Sequence, residues 1–266
     1  MTSWADAIYT VLDSAPLVVA IVVGANIGSF LNVCIYRLPL KKSIVWPSSR
    51  CPHCNRRLRW FENVPIAGYL WLRGRCRTCR GPISIQYPIV ETLTAVMFGL
   101  AFWYYGPTLL LLSRLLFGCA LIVLFSIDLE HHLLPNSITL PGIVVGFAFS
   151  LVTGLGWFDS LVGIVLGGGV LFATAEAYYR VRHEEGLGMG DVKMLAMVGA
   201  FLGWKLALLT LMLASISGSI IGLLLIVTKR GDMKYALPFG TFLAIGAAAA
   251  ASIGPGLVSW YLGLLQ

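Results

Sequence analysis

Apolar residues in this chain fall into long runs separated by short polar stretches. Eight runs stand out, over residues 15–36, 87–105, 108–127, 133–153, 159–179, 191–204, 207–227 and 237–262. A helix needs ~20 apolar residues to cross ~30 Å of hydrocarbon, so each run predicts a transmembrane helix, the sixth being the shortest. No basic stretch precedes the first run, and Asp6 and Asp13 flank it instead; it reads as a retained anchor, not a removable signal. The one long interruption is a polar insert over residues 37–86. The pattern therefore predicts an all-α polytopic membrane protein of about eight transmembrane helices, with a small cytoplasmic insert after the first. It divides as 1–36, first helix; 37–86, insert; and 87–266, a seven-helix membrane domain.

Composition agrees with that class. Apolar residues make up 58% of the chain and charged residues 12%, with a mean hydropathy of +0.84. Twelve acids and nineteen bases are too few to cover a soluble protein of this size. Small-residue runs such as "GIVLGGGV" at 163–170 suit close helix packing, and "FWYY" at 102–105 suits an interfacial anchor.

Charge sets the orientation. Eleven of the nineteen Lys and Arg lie between Arg37 and Arg80, where Glu62 is the only acid. Most of the others, including Arg180, Arg182, Lys193, Lys229, Arg230 and Lys234, fall in later loops of the same parity. By the positive-inside rule these loops face the cytoplasm and both termini lie outside. The net charge of +7 is thus a signal of topology and of attraction to membrane lipid headgroups, with no nucleic-acid partner implied.

The insert holds "CPHC" and, twenty-one residues later, "CRTC": Cys51, Cys54, Cys76 and Cys79. Two CxxC knuckles at this spacing predict a tetrahedral four-thiolate site for zinc. In a reducing cytoplasm disulfides are disfavoured. A closed four-sulfur site folds its loop and does no chemistry. With four cysteines completing the site, His53 inside the first knuckle is a spectator.

Ionisable groups within or beside membrane spans are costly and mark function. Here they are Glu91, Asp128, Glu130, Glu176 and Asp191. Asp128 ends the third run and Asp191 begins the sixth, both at the predicted cytoplasmic edge. Two carboxylates meeting there share a proton; one then activates water while the other polarises a carbonyl, as in aspartic peptide hydrolysis. The plainer reading is that Asp191 caps its helix or that the acids pair with Lys193 or an arginine. Gly186, Gly188 and Gly190 of "GLGMGD" permit unusual backbone and would admit a peptide strand to Asp191. Non-helical backbone at membrane depth needs protein cover or a wet cavity, and hydrolysis needs that water.

Taken together, these residues resemble those of the bacterial type IV prepilin peptidases, bifunctional leader peptidase/N-methyltransferases of the GxGD aspartyl protease type. The resemblance is carried by "GSFLNVCIYRLP" (28–39), the double CxxC, "ISIQYPIVETLTA" (83–95), "DLEHHLLPN" (128–136), "GMGDVKMLAMVGAFLGW" (188–204) and "LPFGTFLAIGA" (237–247). It implies that Asp128 and Asp191 are the catalytic pair and that Cys51, Cys54, Cys76 and Cys79 form the zinc-type domain. It implies cleavage of the basic leader of type IV prepilins and pseudopilins at the cytoplasmic side of a bacterial inner membrane. It also implies methylation of the new N-terminal amine with S-adenosylmethionine. One departure is Asn136, where the family usually has Asp after the proline; an amide cannot exchange a proton as a carboxylate does. No Gly-rich nucleotide-binding unit is visible, so a methyl-donor pocket would have to be built from loops and span ends. The insert and the start of the second span are the expected place, with Glu91 either holding the new ammonium group or simply favoured at a helix start by the macrodipole. Glu130, Glu184 and Glu185 are acids that would attract a basic leader. A membrane-anchored zinc-ribbon binding module without catalysis is the alternative reading, but it leaves the intramembrane acids unexplained. Acids gathered at one edge also count against a transporter.

Overall fold

The computed structural model describes residues 4–183, 188–228 and 237–264, the side chains of 4–14 and 262 excepted. Among these the chain forms nine α-helices and no strand: α1 (Trp4–Arg37), α2 (Ala67–Trp71), α3 (Gln86–Tyr105), α4 (Leu109–His131), α5 (Asn136–Ser150), α6 (Trp157–Arg182), α7 (Met189–Leu202), α8 (Trp204–Val227) and α9 (Phe239–Gly263). Every predicted span corresponds to a helix, and α2 is an extra short helix within the insert. Five helices are long and apolar enough to cross a membrane: α1 from Ala15, α4, α6, α8 and α9 up to Tyr261. The other three fall short for different reasons. α3 carries Gln86, Glu91, Thr92 and Thr94 in its first half, while α5 and α7 have only 15 and 14 residues, about 21 Å for the latter at 1.5 Å per residue.

The chain folds as two compact units, Met1–Leu115 and Leu116–Gln266. In the first, α1 and α3 pack lengthwise, and glycines on α1 set the approach. A Cβ on Gly24 would lie 2.7 Å from the Phe98 Cβ, and one on Gly28 would lie 2.7 Å from the Glu91 Cα. Close backbone approach of this kind is how helices associate where solvent supplies no hydrophobic drive. Buried Asn32 ties the pair polar-to-polar, its Nδ2 donating to the Tyr87 carbonyl at 3.1 Å. The insert bridges the end of α1 and the start of α3.

In the second unit, α7 is the centre. Its residues from Val192 to Leu202 are almost all buried, and α5, α6, α8 and α9 pack around it. This explains how so short and apolar a helix is tolerated: protein surrounds it, not lipid. The crossing with α6 is made backbone to backbone, since a Cβ on Gly199 would run into the Gly163 carbonyl, and one on Gly167 would lie 2.8 Å from the Leu195 carbonyl oxygen. Ser160 Oγ donates to the Ala200 carbonyl at 2.8 Å on the same seam. The Phe117 and Phe201 rings stack at 5.0 Å within a core that includes Leu124, Met194, Met197 and Leu243.

Candidate active site and metal centre

The two knuckles of the insert are built alike. Cys51 N–H donates to the Arg56 carbonyl and Asn55 N–H to the Cys51 carbonyl, both at 2.9 Å; Cys76 N–H donates to the Gly81 carbonyl and Arg80 N–H to the Cys76 carbonyl, again at 2.9 Å. Each turn closes through a residue with positive φ, Asn55 at 58° and Arg80 at 56°, which directs two sulfurs from one turn to a common point. All four sulfurs lie within 4.8 Å of one another, with Cys51 to Cys79 at 3.8 Å and Cys54 to Cys76 at 4.0 Å. A tetrahedron of Zn–S bonds of ~2.3 Å has edges of about 3.8 Å, so the residues fit a zinc ion. Backbone N–H groups of Cys79 and Thr78 aimed at Cys76 push its thiol down, toward the thiolate that metal binding needs, while, against the Gly81 N–H, burial and the neighbouring sulfurs push Cys79 up. His53 takes no part in the cluster. Its ring lies over Gly81, where a Cβ would meet it at 2.7 Å.

One ion pair anchors the insert. Glu62, the acid that stands alone among eleven bases, is buried and accepts from Arg56 at 2.8 and 3.0 Å and from the Arg59 N–H at 2.8 Å. The Arg56 hydrogen bond holds its carboxyl below the usual carboxylate range.

Above the insert is a cavity of about 930 Å³ bordered by Cys51 and Cys76 and lined by Ser29, Asn32 and Tyr36 of α1, Trp46 of the insert, and Tyr87 and Glu91 of α3. Its size and its mix of aromatic and polar walls suit a small-molecule site. Glu91 is buried, and its Oε2 accepts from the Ile66 N–H at 2.7 Å and interacts with the Ser29 hydroxyl. Ile66 has φ 60° and ψ −54°, a conformation that a β-branched residue adopts only under constraint. The Ile66 amide that holds Glu91 has no single-residue signal in the sequence.

Two acids of the second unit are buried near one another. Asp128, in the last turn of α4, is 5% exposed, and Asp191, in the first turn of α7, is 9% exposed. They are close enough for the Asp128 charge to act on Asp191. Among the described residues neither is paired with a cation. Lys193 instead donates from Nζ to Asn136 Oδ1 at 2.9 Å, so the Asn136 amide holds the start of α5 to the start of α7. The N-cap of α7 is Gly188, with φ −72° and ψ 138°, and Asp191 follows as the third helical residue. Gly190 lies inside that first turn. Its missing side chain serves close packing, since a Cβ there would be 2.9 Å from the Leu134 Cβ. Gly186, Glu184 and Glu185 lie outside the described residues.

Glu130 and Glu176 are at the surface. Glu130 lies 3.9 Å from His131, and Glu176 makes an exposed i,i+4 pair with Arg180 at 2.8 Å.

Two residues of the site were not singled out by sequence reasoning. Oδ2 of Asp128 accepts from the Thr241 N–H at 2.6 Å and from Thr241 Oγ1 at 3.0 Å. Beside it, a Cβ on Gly240 would lie 3.0 Å from both Cγ and Oδ2 of Asp128 and 2.9 Å from Leu134 Cδ1. The stretch "PFGT" falls inside the run 237–262 and the motif "LPFGTFLAIGA", but nothing local says that its donors would meet an acid 113 residues upstream.

A polytopic helical membrane protein that buries two interacting carboxylates, and carries a four-cysteine metal fold on a separate unit, defines a narrow class. Residues 22–105 match the bacterial Peptidase A24 N-terminal domain, and residues 115–223 match the type IV leader peptidase family. A prepilin leader peptidase/N-methyltransferase of Aeromonas hydrophila is 37% identical over 261 residues, covering 89% of this chain and 90% of its own. One from Myxococcus xanthus (strain DK1622) is 42% identical over 206 residues, covering 77% and 62%. One from Stutzerimonas stutzeri is 34% identical over 270 residues, covering 91% and 92%. No solved structure matches the chain. The chain belongs to the type IV leader peptidase family.

Proposed function

We propose that this protein cleaves the basic leader of type IV prepilins or pseudopilins at the cytoplasmic face of the inner membrane, and then N-methylates the new N-terminal residue. Support for the first activity comes above all from the burial of Asp128 and Asp191 as an interacting pair on α4 and α7, within the region matching the leader peptidase family. In this reading one aspartate takes a proton from water as the water oxygen attacks the scissile carbonyl carbon, and the other gives its proton to the carbonyl oxygen. Collapse of the tetrahedral intermediate breaks the C–N bond, and the leaving amine takes the proton held by the base. Gly188, with no Cβ beside the Asp191 carboxyl, leaves room for an extended peptide.

The test uses Asp128→Asn and Asp191→Asn beside the parent in detergent with a prepilin-like substrate. Both substitutions abolish leader cleavage without altering thermal unfolding. Cleavage that survives in either variant overturns the aspartyl reading.

For the second activity, the cavity of the first unit offers the residues. Bound S-adenosylmethionine would supply an electrophilic methyl group, held between the aromatic walls of Tyr36, Trp46 and Tyr87. The buried Glu91 carboxylate, fixed by the Ile66 amide, orients the new ammonium group by charge; that group gives up a proton to solvent before its nitrogen lone pair can accept the methyl group. Glu91→Gln then loses methyl incorporation while cleavage persists; retained methylation removes Glu91 from this role. Zinc in the four-cysteine site acts structurally, holding the insert that forms one wall of the cavity.

A further inference from the structure

The Asp128–Asp191 pair is asymmetric in its hydrogen bonds. Thr241 directs two donors at one oxygen of Asp128. The amide belongs to the first turn of α9, where N–H groups lack helical partners; it also reaches the Pro238 carbonyl, but at 3.2 Å against 2.6 Å to the carboxylate. Gly240, the preceding residue, allows the carboxyl to come this near. Asp191 has a single backbone contact, with Gly188, and no hydroxyl donates to it among the described residues. An oxygen that accepts from an amide and a hydroxyl has no lone pair left for a third partner in the same plane. Oδ2 of Asp128 is therefore withdrawn from proton traffic, leaving three carboxyl oxygens for the shared proton.

We propose that Thr241 is a positioning residue for leader cleavage: it clamps Oδ2 of Asp128, so that Asp128 acts through Oδ1 as the base while Asp191 carries the proton delivered to the scissile carbonyl. The assignment rests on the aspartyl reading above and adds direction to it. Water loses a proton to Asp128 Oδ1 as its oxygen bonds to the carbonyl carbon. The Asp191 proton passes to the carbonyl oxygen. On collapse that proton returns to Asp191, the C–N bond breaks, and the Oδ1 proton leaves with the amine, so the pair ends as it began. Because α4 and α9 are joined here by side chain to backbone, a clamp supplied by Thr241 also sets the angle at which the Asp128 carboxyl meets its partner.

Thr241→Val keeps the amide and the shape but deletes the hydroxyl, and Thr241→Ser restores it. Full-length protein in detergent is assayed for kcat and KM on a prepilin-like substrate, with thermal unfolding recorded for each variant. The valine variant loses about 10- to 100-fold in kcat, as misplacement of a catalytic group by a fraction of an ångström does. Its KM stays within about twofold, and serine returns kcat to within about threefold of the parent. If valine does not accumulate as folded protein, Thr241→Ala gives the same kcat loss. A kcat unchanged by valine or alanine, a loss confined to KM, or a serine variant as slow as valine overturns the proposal. Asp128→Asn assayed alongside separates the two failures, because cleavage surviving in it defeats the aspartyl reading itself.

Discussion

Gly240→Ala tests the site by adding one methyl group. The new Cβ would sit 3.0 Å from Cγ and Oδ2 of Asp128 and 2.9 Å from Leu134 Cδ1, inside ordinary carbon contact of ~3.5–4.0 Å. Leu134 has a flexible end and can turn aside. The carboxyl cannot do so freely, because the Thr241 amide and hydroxyl hold Oδ2. Relief therefore requires Asp128 to move by about half an ångström. If a misplacement of 1 Å costs about a hundredfold in rate, half of that costs about tenfold, or ~1.4 kcal/mol of barrier. The fold changes less, since one added methyl overpacks by only ~1–2 kcal/mol. Single-turnover leader cleavage in detergent, with thermal unfolding measured in parallel, reads both effects. A cleavage rate within twofold of the parent would show that the carboxyl is not held as argued.

Other consequences can be checked separately. Cys76→Ser removes one of four thiolates; zinc measured by elemental analysis falls from about one per chain toward zero, and the insert becomes protease-sensitive, because metal binding supplies most of its folding energy. Glu62→Gln leaves Arg56 without its bidentate partner and costs ~2–3 kcal/mol, read as faster zinc release to a chelator. Since the Glu62 carboxyl is held below its usual range, its contribution is present in full above the ordinary carboxylate range. It is lost only as pH falls through the lowered value, so the difference in chelator sensitivity between parent and variant should hold unchanged from neutral pH down to the ordinary carboxylate range. Gly199→Ala sets a Cβ against the Gly163 carbonyl, where backbone cannot yield, and should lower stability by more than ~2 kcal/mol in a detergent unfolding titration; a change under 0.5 kcal/mol would mean α6 and α7 separate easily.

How far the sequence reached differs from element to element. The apolar runs determined the helices because a bilayer leaves backbone groups no option but to pair within the segment. The spacing of Cys51, Cys54, Cys76 and Cys79 determined the four-sulfur cluster because each CxxC turn is local, and the two acids stood out because carboxylates at membrane depth are rare. What the sequence left open depends on which helices touch. Apolar runs look alike whether lipid or protein covers them, so only packing shows that α7 is enclosed by protein. The glycines before Asp191 were read as conformational freedom, yet Gly190 lies in the helix and serves the close approach of Leu134. Thr241 and the Ile66 amide were silent for a related reason: a donor is defined by its acceptor, and here the acceptors, Asp128 and Glu91, lie on other helices. Local chemistry was therefore legible along the chain, while its pairing across helices was decided by the tertiary structure.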